Sequence, residues 1–200
     1  MARNSKAIWR TRILSARRGL ESDLRHVEDE ALSRAAASLA PAGSTVCAYV
    51  PVGSEPGSTS LLDALVSAGT TVLVPVTREG SALSWAQYRG ESSLVAAGFG
   101  LREPTGEVLP PETVGRAHTV LVPALAVDRR GVRLGRGAGF YDRTLHLASP
   151  AARIVAVVRD AELVTELPED PHDIRMGWAL TPGKGLVRLG TPNRAEQHTR

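Results

Sequence analysis

The residues with the most chemical potential lie together in one stretch: Pro123-Ala-Leu-Ala-Val-Asp128-Arg-Arg-Gly-Val-Arg133-Leu134-Gly135-Arg136-Gly137-Ala138-Gly139-Phe140-Tyr141-Asp142-Arg143. Glycines at 135, 137 and 139 let a backbone approach a ligand closely. Arg133, Arg136 and Arg143 add permanent positive charge on planar forks that suit phosphate. The stretch follows an apolar run and opens a helix near Gly139, where free N–H groups favour an anion. These parts can hold a polyphosphate. The plain alternative is a flexible glycine loop with a solvated arginine rim. Asp142 falls in the first helical turn, where the dipole alone favours an acid. It also suits a magnesium ligand, because magnesium takes only one or two protein carboxylates beside phosphate oxygens.

Two familiar nucleotide motifs are excluded. No G-x-x-x-x-G-K-[ST] occurs, and Phe140 stands where a dinucleotide fingerprint needs its last glycine. No convincing Ser-His-Asp or Cys-His set is found. Cys47 is the only cysteine, so neither an internal disulfide nor a cysteine metal cluster can form. It sits in an apolar run and reads as a small buried hydrophobe.

Two hundred residues with 42% apolar content suit one domain, residues 1–200, with a core of about 4–182. A polar tail begins near 191. The net charge of +3 is almost entirely arginine, Lys6 and Lys184 being the only lysines. That balance fits anionic ligands without requiring nucleic acid. An aromatic content of 4% speaks against single-strand stacking platforms. The N-terminus has charge but no apolar core of a secretory signal, and no apolar run nears the ~20 residues of a membrane span. The reading is a cytoplasmic monomer acting on small molecules.

The elements that must position these residues follow from periodicity. Residues 3–20 and 22–39 read as helices, the second capped by Ser22, with Leu24, Val27, Ala31, Ala35 and Leu39 at helical spacing. In the first, Trp9, Ile13, Ala16 and Leu20 fall in one sector, and Arg3, Lys6, Arg10 and Arg17 in the adjacent one. The basic stripe thus borders the buried face, where it can snorkel into a cleft. Strands are expected at 45–50, 71–74, 83–88, 119–122, 153–158 and 178–181, with helices at 58–68 and 139–147. Residues 98–104 and 123–138 read as loops. The order β, loop, helix, β is that of a parallel unit.

The run PALAVD, RRGV, RLGRGAGFYD resembles the signature of 5-formyltetrahydrofolate cyclo-ligases, also called methenyltetrahydrofolate synthetases. That family shows P-G-L-A-F-D, a short turn, then R-L-G-x-G-x-G-Y-Y-D. The family also begins with a K-x-x-x-R helix whose basic residues contact ATP, matched by Lys6 and Arg10. Its first-strand loop carries a folate-contacting glutamate, matched by Glu55 in Gly53-Ser54-Glu55. The stretch from Phe99 to Pro104 resembles a further family loop, with Phe99 against the pterin or simply against the core. The late family motif P-x-E-x-H-D-x-x-x-D appears with His172 and Asp173 in place but Gly177 for its final acid. Ala138 replaces a usual glycine or lysine, which a negative φ would accommodate.

The resemblance implies an α/β fold with an open, mostly parallel, partly mixed central sheet flanked by helices. It implies an enzyme that converts 5-formyltetrahydrofolate to 5,10-methenyltetrahydrofolate, with MgATP becoming ADP and phosphate. ATP would lie against Lys6, Arg10 and the run Arg133, Leu134, Gly135, Arg136, Gly137, Ala138, Gly139, Phe140 and Tyr141. Arg136 and Tyr141 would be catalytic, Glu55 and Phe99 would bind the folate, and Asp142 and Asp173 would hold Mg2+. Two other readings stay open: a divergent paralogue with another formylated or nucleotide substrate, and a non-catalytic nucleic-acid or nucleotide-binding module.

Overall fold

The structure is a computed structural model that describes residues 2–78, 80–171 and 173–190. His172 and the polar tail from Thr191 lie outside the described residues, as do the side chains of Arg3 and Phe99. The chain opens with helices α1 (Ala2–Arg18) and α2 (Ser22–Ala36), then strand β1 (Thr45–Cys47), α3 (Thr59–Ser67), β2 (Thr71–Val76) and β3 (Ser84–Gln87). A short hairpin, β4 (Leu94–Ala96) and β5 (Arg102–Pro104), precedes β6 (Thr119–Pro123), β7 (Ala126–Asp128) and β8 (Arg133–Leu134). Then come α4 (Phe140–Thr144), β9 (Arg153–Val157), β10 (Leu163–Val164), β11 (Trp178–Thr181) and β12 (Gly185–Arg188).

Among the described residues the central sheet has seven strands in the order β12-β11-β9-β6-β1-β2-β3. Strands β11, β9, β6, β1 and β2 are parallel, and β12 and β3 close the edges antiparallel. The inner strands are short Val, Leu, Ile and Ala runs because both faces are covered. Their side chains divide with period two. Val46, Leu121, Val155 and Val157 meet Leu32, Leu61, Leu62 and Leu65 of α2 and α3 on one face. Cys47, Val120, Val122 and Ala156 meet Val114, Leu145 and Met176 on the other. The expected fold class is the observed one.

Helix α1 does not pack on this sheet. It lies on a second, three-stranded sheet, β10-β7-β8, through Ile13, Leu125, Ala126, Val132, Leu134 and Leu167. The stretch 123–138 is therefore no simple loop. Asp128 N–H donates to Val132 O over 3.0 Å, closing a tight turn between β7 and β8. Strands of three and two residues around a Gly-Arg turn leave too little periodicity to be seen in sequence. For the same reason 98–104 reads as loop in the sequence, although it carries β5.

Three local expectations need correction. Helix α2 starts at Ser22, so Glu21 is the cap residue, and no side-chain cap bond forms. Leu24 and Val27 are exposed (48% and 58%), while Leu32, Ala36 and Leu39 are buried. The inner face of that first half is polar: Glu28 accepts from Arg159 Nε over 2.7 Å, and Asp29 from Gly57 N–H over 2.9 Å. Finally, the helix expected over 139–147 is five α residues continued by a 3-10 turn, Leu145–Leu147.

Candidate functional site

Strands β1 and β2 run to one side and β6, β9 and β11 to the other. The direction of winding thus reverses between β1 and β6, which leaves a crevice outside their carboxyl ends. The loop after β1 carries Tyr49 and Glu55, and the chain after β6 carries the glycine and arginine run. Between them opens a cleft of ≈ 940 Å³.

One wall is cationic. Its first contributor is α1, whose basic stripe does more than border the buried face. Lys6 and Arg17 are 7% and 2% exposed and flank buried Ile13, whereas Ala16 of the expected apolar sector is exposed. Helical spacing places Lys6, Arg10, Ile13 and Arg17 on one line, and that line faces the cleft and β7–β8. Lys6 Nζ donates to Asp170 Oδ2 at 2.8 Å and Asp173 Oδ2 at 2.7 Å. Burial pulls the pKa of this ammonium down, but the two carboxylates outweigh it and the net shift is upward. Arg10 Nε donates to Gly135 O over 2.9 Å and so ties the helix to the loop.

In that loop Gly137 and Gly139 adopt φ of 102° and 73°, where a side chain would be strained. At Gly135 a Cβ would stand 2.6 Å from Arg133 Nη1, so a side chain there would displace the guanidinium. Arg133 folds over the Tyr141 ring at 5.8 Å and donates to Asp142 Oδ1 over 2.7 Å. Leu134 is a buried anchor whose carbonyl accepts from Leu125 N–H over 2.7 Å. Ala138 O accepts from Arg143 Nη2 over 3.2 Å, and Arg143 also lies 5.3 Å over the Phe140 ring. With so short a helix after Gly139, the positive field of this wall comes from side chains and loop amides, with little from a helix dipole.

The opposite wall is largely enclosed. Tyr49 and Tyr141 are held protonated, their pKa values raised by burial and then by the charge of Glu55. Glu55 Oε2 accepts from Val52 N–H over 3.0 Å. Burial also lifts the Glu55 carboxyl above its ordinary range, against the pull of the Val52 amide and of Arg136. Arg136, half-exposed, brings Nε to 3.2 Å from Glu55 Oε1 and joins the two walls. Phe99 belongs to the turn Gly98–Gly100, next to Leu101, Arg102 and Glu103, which line the cleft.

The acids expected to hold a metal are both at the cleft but answer to different cations, Asp142 to Arg133 and Asp173 to Lys6. No group of three His, Cys, Asp or Glu residues suited to a metal exists among the described residues. This donor set fits an ion completed by phosphate and water oxygens, the usual condition of magnesium, and not a cation caged by protein alone. Gly177, where the resembling motif has an acid, stands at the entrance to β11. Its N–H bonds Ile154 O at 3.1 Å, and it does not line the cleft. Cys47 lies fully buried, its thiol pushed up to about 12 by desolvation.

Two important residues had no assigned role in the sequence. Asp128, wholly buried, accepts from the N–H groups of Arg130, Val132 and Leu167 at 2.9, 2.9 and 3.0 Å. It locks the β7–β8 turn to the late segment that carries Asp170 and Asp173. Its place in PALAVD was the available signal. Arg17 pairs with Glu162 through bonds of 2.6 and 2.8 Å. The helical stripe contained it, but its partner lies 145 residues away.

Known proteins resemble this chain over nearly all its length. A sequence model of the 5-formyltetrahydrofolate cyclo-ligase family matches residues 2–182. A 5-formyltetrahydrofolate cyclo-ligase from Mycolicibacterium smegmatis is 54% identical over 194 residues, covering 94% of this chain and 100% of that protein. The Escherichia coli protein of the same name is 33% identical, covering 70% and 79%. The solved structure of the Aquifex aeolicus 5,10-methenyltetrahydrofolate synthetase superposes with a TM-score of 0.77 at 27% identity, covering 98% of each chain. The cleft, the glycine loop and these matches together place the chain in the 5-formyltetrahydrofolate cyclo-ligase family.

Proposed function

We propose that this chain is a cytoplasmic, monomeric single-domain enzyme that converts 5-formyltetrahydrofolate and MgATP to 5,10-methenyltetrahydrofolate, ADP and phosphate. The observation that carries the reading is the Arg136–Glu55 contact of 3.2 Å. It joins a cationic glycine loop to a largely enclosed, acid-bearing pocket in a single cleft, so two substrates can meet there.

A formamide oxygen is a poor leaving group. In the first step that oxygen attacks the terminal phosphorus of ATP, the bridging P–O bond breaks, and ADP leaves. N10 of the same folate then attacks the activated carbon. Phosphate departs with the former formyl oxygen, N10 loses its proton, and the ring closes. The chemistry needs positioning and charge stabilisation more than a protein nucleophile. Lys6, Arg10 and Arg133 hold the phosphates, with Gly135, Gly137, Ala138 and Gly139 shaping the loop between Leu134 and Phe140. Arg136 stands where charge develops on the transferred group. Tyr141, kept protonated, donates to an oxygen in the cleft. Glu55, with Phe99, holds the pterin or the N10 side. Asp142 and Asp173 are the residues that would hold Mg2+, which neutralises phosphate charge when bound.

The test mixes purified protein with 5-formyltetrahydrofolate and MgATP and follows the near-ultraviolet absorbance of the methenyl product. ATP-dependent product that is lost in Arg136→Ala supports the assignment. A folded protein that binds ATP but forms no product would send the function to the divergent-paralogue reading. Salt-sensitive retention on an oligonucleotide, with ATP competing poorly, would support the non-catalytic one.

A further inference from the structure

Among the described residues three buried side-chain donors lack a partner: Arg17 Nη1, Trp85 Nε1 and Tyr141 Oη. Trp85 belongs to the core, but Arg17 and Tyr141 both line the cleft. An orphaned buried N–H costs roughly 1–3 kcal/mol, and Nη1 is screened from the water that would otherwise satisfy it. Every other polar nitrogen of Arg17 is engaged. Nε and Nη2 grip the Glu162 carboxylate, and Nη2 also donates to Ala124 O over 2.7 Å. Glu162 is in turn fixed by Arg159 N–H at 2.8 Å, and Arg159 Nη1 donates to Ser54 O, beside Glu55, over 3.0 Å. Arg17 is thus tied, through Glu162 and Arg159, to the loop that carries Glu55.

The charge state of this arginine indicates what it can receive. Glu162 already neutralises it, so the site as a whole offers a hydrogen-bond donor without net charge. The polyphosphate already has the net charge of Lys6, Arg10, Arg133 and Arg136 at the same cleft. A neutral carbonyl oxygen is the fitting acceptor. A pterin presents one on its pyrimidinone edge, directly beside N–H and amino donors that suit a carboxylate. Glu55, which lines the same cleft, is that carboxylate. Donor and carboxylate together mirror the pterin edge. Nη1 has no exposed surface in the free protein, so the contact calls for side chains at the cleft wall to move, a common change on ligand binding.

We propose that Arg17 is a folate-binding, specificity-determining residue whose Nη1 receives the ring carbonyl of the pterin while Glu55 takes the neighbouring donors. The proposal rests on the cyclo-ligase reading above. Its test measures binding without ATP, and so without turnover, for 5-formyltetrahydrofolate and for its 4-amino counterpart, in which an amino donor replaces the carbonyl acceptor and N3 loses its proton. The wild-type protein is expected to prefer the carbonyl compound by about tenfold or more, the worth of one hydrogen bond. Removing Arg17 alone would strand Glu162 as a buried charge, so the variant combines Arg17→Gln with Glu162→Gln. It should lose about tenfold of the preference, the share carried by the carbonyl, and keep its KM for ATP. Equal wild-type affinities, an undiminished preference in the folded double variant, or a raised KM for ATP would each overturn the proposal. If the double variant does not fold, the wild-type complex with 5-formyltetrahydrofolate decides. A ring oxygen within about 3.2 Å of Nη1 supports the proposal, and none within about 3.5 Å overturns it. Wild-type protein that shows the preference but makes no methenyl product would sink the proposed reaction and leave the Arg17 assignment standing.

Discussion

Arg133 donates from Nη2 to Asp142 Oδ1 over 2.7 Å, a nearly buried cation holding a half-exposed acid at the cleft mouth. A carboxylate that accepts one arginine bond keeps lone pairs for a cation. Asp142→Asn preserves an oxygen for Arg133 but removes the charge. The concentration of magnesium that half-saturates turnover should rise about 10–100-fold, with thermal stability nearly unchanged. Titrating magnesium at fixed ATP checks this, and an unaltered magnesium dependence would remove Asp142 from the metal site.

Glu55 predicts a trade between stability and activity. Burial raises its pKa in the folded state above the unfolded value. A carboxyl raised in this way holds its proton more tightly when folded, so the protein loses stability as pH climbs from about 4.3 through the folded-state pKa. Above that pKa the whole penalty is present. Glu55→Gln should therefore raise the melting temperature at pH 8, leave it unchanged near pH 4, and abolish most activity at both. Melting curves at the two pH values test the sign. A lower melting temperature for the variant at pH 8 would mean that Glu55 is stabilising as an anion.

Lys6 pins two acids of the segment 168–175 to α1. Lys6→Met would leave Asp170 and Asp173 facing each other with less compensation. We expect a loss of about 1–3 kcal/mol, below the usual cost of breaking a fully buried pair because both acids keep contact with solvent. Limited proteolysis should cut first in that segment. Lys6→Arg should restore stability more fully than affinity for ATP. Cleavage elsewhere, or unchanged stability, would show that the bonds of Asp128, Arg130 and Gly131 to the segment's ends suffice to secure it.

Two glycines separate folding from binding. Gly131 has φ of 91°, and a Cβ there would overlap the Met176 carbonyl oxygen. Gly131→Ala should destabilise by several kcal/mol, since strain and steric overlap add. Gly137 has φ of 102°, and a Cβ would sit 3.6 Å from Arg10 Cζ, within ordinary contact. Gly137→Ala should cost only about 1 kcal/mol of backbone strain while raising the KM for ATP. Denaturant titration beside ATP kinetics distinguishes the two, and equal effects on both measures would collapse the distinction.

The sequence by itself determined what can be carried on contiguous residues. Short runs of Val, Leu and Ala between glycine stops marked the inner strands, because a strand covered on both faces has no polar side to show. The run from Pro123 to Arg143 displayed its glycines, arginines and acid in one place, since loop chemistry is local. Tertiary structure alone decided which face of a helix is inside. Leu24 and Val27 are apolar yet exposed, and Lys6 and Arg17 are charged yet buried, because each partner, Glu162 or Asp170 and Asp173, lies more than 140 residues along the chain. Only the fold also revealed that β7 and β8 are strands, held by Asp128 and by α1 and too short to carry a period of their own. A buried ion pair is a property of two distant positions at once, and no window of sequence contains both.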